Sequence, residues 1–226
     1  KNNFFIYTYP RFGYGNRWYR KKVQIIKGAP TQNDKSYFDN QTSGIGFQND
    51  WVLIQVGRGA ESWGAGNDIQ LALSENSPKY DYVKIGSDYG NLRVCYIHGF
   101  LETTEDNFNR YITSKGFEWT NKRSIVVSFQ ESIIYSGENR TMDIGYLNPL
   151  AFHLEAEWNN RLNTIGEGNS NAVWQISLDY IHENNLRVSG NFLFDDLVID
   201  REIENNMQNA IAYSLKINKL YKTLNY

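Results

Sequence analysis

Apolar and polar residues change places at every second position along most of this chain, and that period leaves few folds open. Trp174, Ile176, Leu178 and Tyr180 share one parity, with Gln175, Ser177 and Asp179 on the other. Val188, Gly190, Phe192 and Phe194 alternate with Arg187, Ser189, Asn191 and Leu193. Ile211, Tyr213, Leu215 and Ile217 do the same against Ala212, Ser214, Lys216 and Asn218. So do Ile125, Val127 and Phe129 against Ser124, Val126, Ser128 and Gln130. Successive side chains of a strand point to opposite faces, so this period reads as strands with one apolar and one polar face. Further strands are expected over Phe4–Tyr9, Val23–Lys27, Trp51–Val56, Tyr82–Ile85 and Leu92–Ile97.

The punctuation between these runs is polar and short. Ser87–Asn91, Ser136–Asn139 and Glu183–Asn185 are turn-forming clusters. Such links join antiparallel neighbours, whereas parallel strands need crossovers of a dozen residues or more. The expectation is an all-β antiparallel meander of about nine to eleven strands, set by their spacing. At 226 residues it forms a single domain over 1–226, with no internal repeat. One interruption is expected to be helical. Asn148 is suited to cap a helix and Pro149 to open it, and Leu150, Leu154 and Trp158 then follow at four-residue spacing as far as Arg161.

Alternation gives two faces but not their surroundings. A soluble sandwich buries the apolar face, and an outer-membrane barrel turns it to lipid. No run approaches the roughly 18 apolar residues of a membrane helix, which excludes helical spans and leaves barrels open. The mean hydropathy of −0.57 fits a barrel, because alternating strands average out as hydrophilic. Aromatics at 15% of residues, with 16 Tyr and 6 Trp, suit interfacial girdles or a sugar-binding surface. A net charge of −2 argues against nucleic acid as a partner, and the basic run Arg17, Arg20, Lys21, Lys22 stands without a stacking module. The single cysteine, Cys95, excludes an internal disulfide framework. The two Asn-x-Ser/Thr sequons, at Asn40 and Asn139, read as chance matches.

Catalytic patterns are absent. His98, His153 and His182 stand apart, without a second ligand at metal spacing, so no metal and no cofactor is expected. No nucleophile elbow or phosphate loop occurs. Asp195 and Asp196 are adjacent in a strand and point to opposite faces, so they cannot flank one glycosidic bond. Carbohydrate binding fits better, since aromatic faces with nearby hydrogen-bonding groups hold sugars. Arg58, Glu61, Trp63, Asn67 and Asp68 lie close together in sequence, with Trp63 beside Gly64 at an expected bend between two strands, the second closed by Pro78. Structural roles are equally open at this point, with Trp63 as packing under the bend and Arg58 paired to Glu61.

The stretch Arg58 to Pro78, with Trp63-Gly-Ala-Gly66 and Leu71-Ala-Leu-Ser-Glu-Asn-Ser-Pro78, resembles the signature of the Wzi family of capsule-assembly proteins. That signature has an Arg, Trp-Gly-Pro-Gly, then Leu-x-Leu-Ser-x-Asn-x-Pro; Ala65 stands here where the family has Pro. Asp143-Ile-Gly-Tyr-Leu-Asn-Pro-Leu150 is similar to the family's Tyr-Leu-Asn-Pro-Leu element, and Gly190–Leu197 to its late strand. The resemblance implies part of the wall of an outer-membrane β-barrel of a Gram-negative bacterium, in a fragment of a longer chain. It implies a non-enzymatic lectin that holds capsular or exopolysaccharide, with outer-membrane lipid as its other partner. On this reading Arg58, Glu61, Trp63, Asn67, Asp68, Tyr146 and Asn148 are the polysaccharide-binding candidates. The expected orientation puts Val188, Phe192 and Phe194 outward, and Arg187, Ser189, Asn191, Arg58 and Glu61 inward. A solute channel and a soluble carbohydrate-active sandwich enzyme are the alternatives.

Overall fold

The computed structural model describes residues 3–14, 36–65, 69–101, 107–148, 150–151, 153, 170–182, 185–195 and 210–220. They form one ten-stranded antiparallel sheet: β1 (Asn3–Tyr14), β2 (Ser36–Gln48), β3 (Val52–Gly59), β4 (Tyr80–Asp88), β5 (Leu92–Phe100), β6 (Phe108–Thr120), β7 (Ile125–Glu138), β8 (Ser170–His182), β9 (Leu186–Asp195) and β10 (Ala210–Lys219). Each strand pairs with its sequence neighbours, and the sheet is not closed. The meander is as expected from alternation. Strands β2 and β6 were not expected, because glycines and polar residues blur their period; Val23–Lys27 lies outside the described residues.

The short turns are built by their first side chains. Asn49 Oδ1 accepts from the amides of Trp51 and Val52, at 3.0 and 2.8 Å. Asp88 Oδ1 accepts from Gly90 N at 2.7 Å. Asn121 Oδ1 accepts from the amides of Arg123, Ser124 and Ile125, each at 2.9 Å. A short Asn or Asp side chain reaches its own downstream backbone, which is why these residues start turns. Pro10 has no amide to donate and lies where the β1–β2 register shifts, between Tyr9 and Arg11.

Register assigns the faces, since directly opposed residues share one. One row runs Asn191–Ser177–Ser128–Glu118 across β9 to β6. The next parity gives Phe192–Ile176–Phe129–Phe117–Val94 across β9 to β5. The polar row is the buried one: Ser189 and Asn191 are 5% and 6% exposed, against 44% for Phe192 and 45% for Ile176. Val188, Phe194 and Arg187 are intermediate, and Arg187 turns to Asp179 on the polar face at 2.6 Å. The apolar face stays open at Phe4, Ile6, Ile54, Val56, Leu215 and Ile217.

What buries the polar face is the described part of the link from β3 to β4, residues 60–65 and 69–79. The expected second strand over Ile69–Leu73 does not form. Instead the link crosses the polar face and is held there by side chains. Ser128 Oγ accepts from Ala65 N at 2.7 Å, and Asn191 Nδ2 donates to the Ile69 carbonyl at 2.5 Å. Gln175 Oε1 accepts from both Leu71 N and Ala72 N at 2.8 Å. Backbone groups that a strand would have bonded to a neighbour are met by the sheet's own polar side chains. Under the link, Leu73, Tyr80, Tyr82, Cys95, Ile97 and Ile112 pack as an apolar cluster.

The expected helix over Asn148–Arg161 is corrected in its described part. A single 3-10 turn, Ile144–Leu147, precedes it, opened by Asp143 and closed by Asn148 in extended geometry. Asn148 Oδ1 does accept from Leu150 N at 3.0 Å, as a cap would. The turn stops at Asn148, whose backbone is extended with ψ at 110°, and His153 N donates to Glu131 Oε1 at 2.8 Å. Residues 149, 152 and 154–161 lie outside the described residues.

Candidate functional site at the long-link rim

The two ends of the sheet differ. Residues 49–51, 89–91 and 121–124 close one end in turns of three or four, and β8 and β9 meet at the same end, where Asn185 N donates to the His182 carbonyl. The other end carries links 15–35, 60–79, 101–107, 139–169 and 196–209. At that second rim, between the returning link and the ends of β3 to β6, lies a recess of about 450 Å³. Leu73, Tyr80, Phe100 and Ile112 give it an apolar floor, and Arg58 and Arg110 stand at its edge. Its size falls in the range of small-ligand sites.

The seven candidates do not converge on one place. Arg58 is on the apolar face beyond Val56, not inward as expected, and its Nη1 meets Asp81 Oδ2 at 2.9 Å. Glu61 is near the polar face and pairs with Lys84 at 2.5 Å, so Arg58 and Glu61 do not satisfy each other. Trp63 lies over Gly116, with the Arg93 guanidinium 5.9 Å from its ring. Gly64 takes a φ of +129°, which explains the glycine after Trp63. Tyr146 and Asn148 are on the opposite face. Asn67 and Asp68 lie outside the described residues. Of the five described candidates, only Arg58 lines the rim recess.

Trp63 is a packing residue as placed. Its Nε1 is buried, with no hydrogen-bond partner among the described residues. A β-carbon added at Gly116 would come closest to the Phe129 carbonyl oxygen in the neighbouring strand, and within 2.9 Å of that nitrogen and 3.1 Å of Gln130 Cα. Gly116→Val should therefore displace Trp63 and cost about 1–3 kcal/mol, as overpacking does. A lower unfolding midpoint, to which the Phe129 carbonyl contributes, and faster proteolysis within 60–79 are the expected readouts; a lower midpoint without faster proteolysis there would show that Trp63 does not seat the link.

On the apolar face, Tyr146 and its neighbours cover a patch that sequence reading missed. Glu131, from β7, is fully buried there. It accepts from Trp174 Nε1 at 3.1 Å and faces Lys115 Nζ at 3.0 Å and His153 Nδ1 at 3.1 Å. Lys115 also donates to the Ala151 carbonyl and, at 3.4 Å, to that of Asn148. Tyr146 stacks on Tyr135 at 4.6 Å, and Tyr135 on Tyr111 at 5.0 Å. His98 is a structural residue of this layer, bonded by the hydroxyls of Tyr96 and Tyr135 at 3.1 Å each. A signal did exist: Lys115 and Glu131 break the apolar parity two positions from Phe117 and Phe129.

Chemically, the rim recess can bind but has no paired carboxylates or nucleophile–base couple among its lining residues. No cluster of metal-ligating side chains occurs among the described residues. No protein family, curated protein or solved structure matches this chain. No helix among the described residues is long and apolar enough to cross a membrane, which says nothing of a β-barrel.

Proposed function

We propose that this chain forms part of the wall of an outer-membrane β-barrel whose long-link rim binds or organises capsular or exopolysaccharide, without enzymatic activity. The observation that carries the reading is the inverted polarity of the sheet, with its apolar face open over β1–β4, Ile176, Leu178, Phe192 and β10, and its polar face buried under its own link. Barrels in lipid require that sense. Three further features support it. Exposed Trp51, Tyr89 and Trp119 lie near the short turns, where an interfacial aromatic girdle would sit. Outer-membrane barrels pair short periplasmic turns with longer surface links, the asymmetry seen here. Three segments resemble capsule-assembly barrels. The channel alternative is disfavoured, because residues 60–65 and 69–79 lie across the face that would line a lumen.

The test is fractionation of a Gram-negative host making the full-length protein, combined with a capsule-retention assay on cells lacking it. The protein is expected in the outer-membrane fraction as a heat-modifiable band, and loss of the gene should shed polysaccharide into the medium. A soluble protein, or retention unchanged without the gene, overturns the proposal.

A further inference from the structure

We infer that the rim recess is specific for acidic glycans, with Lys79 and Arg110 as the groups that read the acid; this rests on the polysaccharide-binding reading. Among its lining residues, three cations, Arg58, Lys79 and Arg110, face one carboxylate, Asp81. Arg58 is already engaged by Asp81. Lys79 and Arg110 have no ion pair among the described residues, so two positive charges are left for a ligand.

The rest of the recess suits a sugar chain. Leu73, Pro78, Tyr80 and Phe100 offer apolar surface to the C–H faces of pyranose rings, and Ser74 and Ser77 offer hydroxyls. Tyr80 is 6% exposed, and its hydroxyl lies beside the Glu61 backbone without meeting hydrogen-bond geometry. A neutral glycan would use the apolar floor and the hydroxyls alone. A uronate carboxylate would add a charge-assisted bond from Arg110, whose planar fork matches it, and a point charge from Lys79. The residues Ala72–Lys79 also form the end of the link that crosses the polar face, so the ligand would rest on a fixed surface.

The experiment takes the full-length protein in detergent micelles and measures binding of oligogalacturonate and alginate oligosaccharides, and of the same chains after carboxyl reduction. The acidic forms should bind at least about 10-fold more tightly, about 1.4 kcal/mol, and raised salt should shrink the difference. Lys79→Ala with Arg110→Ala should erase the preference while leaving the unfolding midpoint unchanged, since neither side chain makes an ion pair or hydrogen bond among the described residues. Equal binding of acidic and reduced chains overturns the acid assignment and leaves the glycan reading standing. Binding of neither form also overturns it, and capsule retention then judges the glycan reading separately.

Discussion

Glu131→Ala should be the most damaging single substitution on the apolar face, lowering stability by about 3–5 kcal/mol. Glu131 is fully buried and is the counter-charge of Lys115, itself 8% exposed at the side chain. Removing the carboxylate strands an ammonium under Tyr146 and His153. It also takes the acceptor from Trp174 Nε1 and from the His153 amide, two donors that cannot reach water. Removing both charges while keeping an acceptor is a different matter. Lys115→Met with Glu131→Gln should recover most of the loss, since a buried pair gains little over neutral groups of the same shape. Denaturant unfolding of the detergent-folded protein measures both. A double variant as unstable as Glu131→Ala would mean that packing, not charge, holds the covering segment.

Gln175→Leu should release the link that covers the polar face. Gln175 is fully buried; its Oε1 accepts from two backbone amides, and its Nε2 donates to Gln70 and Ser177 at 2.8 Å. Leucine leaves the amides of Leu71 and Ala72 without acceptors. Each buried orphan costs about 1–3 kcal/mol, so docking of the link weakens by about 2–6 kcal/mol. The sheet itself keeps its ladder, and the effect should be local. Proteolysis within residues 60–79 should rise on the order of 100-fold, the ratio that about 2.7 kcal/mol produces. In planar bilayers the variant should conduct more than the wild type. Unchanged cleavage and unchanged conductance together would show that Ser128 and Asn191 suffice to hold the link, and would remove Gln175 from its assigned role.

Much of the fold was legible because its cause is local. A period of two over Trp174–Tyr180 or Ile211–Ile217 needs no distant contact to be read as a strand. The initiating residues Asn49, Asp88 and Asn121 act on backbone one to four positions away, so the turns were legible too. β6 was harder. Its sequence, with Thr113, Ser114, Lys115 and Gly116 in a row, shows no clean alternation, because both its faces are covered. Ile69–Leu73 failed in the other direction, since it alternates like a strand but has its amides taken by Gln175, more than a hundred positions on.

The candidate site follows the same division. Sequence proximity grouped Arg58, Glu61 and Trp63, yet strand pleat puts Arg58 on the apolar face, while the link carries Trp63 to the polar one. Tyr146 and Asn148 went to the apolar face because Glu131 and Lys115 hold Asn148, Ala151 and His153 down onto it. Lys79 and Arg110 reach one recess only because β4 and β6 end at the same rim. Eight of the ten strands, the antiparallel order, the short turns and the existence of two faces are properties of residues within a few positions of each other and could be read without the fold. Only the tertiary structure decided which face is covered and by what, which charges pair, and which remain for a ligand. Those outcomes depend on long-range contacts that hydrophobic periodicity does not encode.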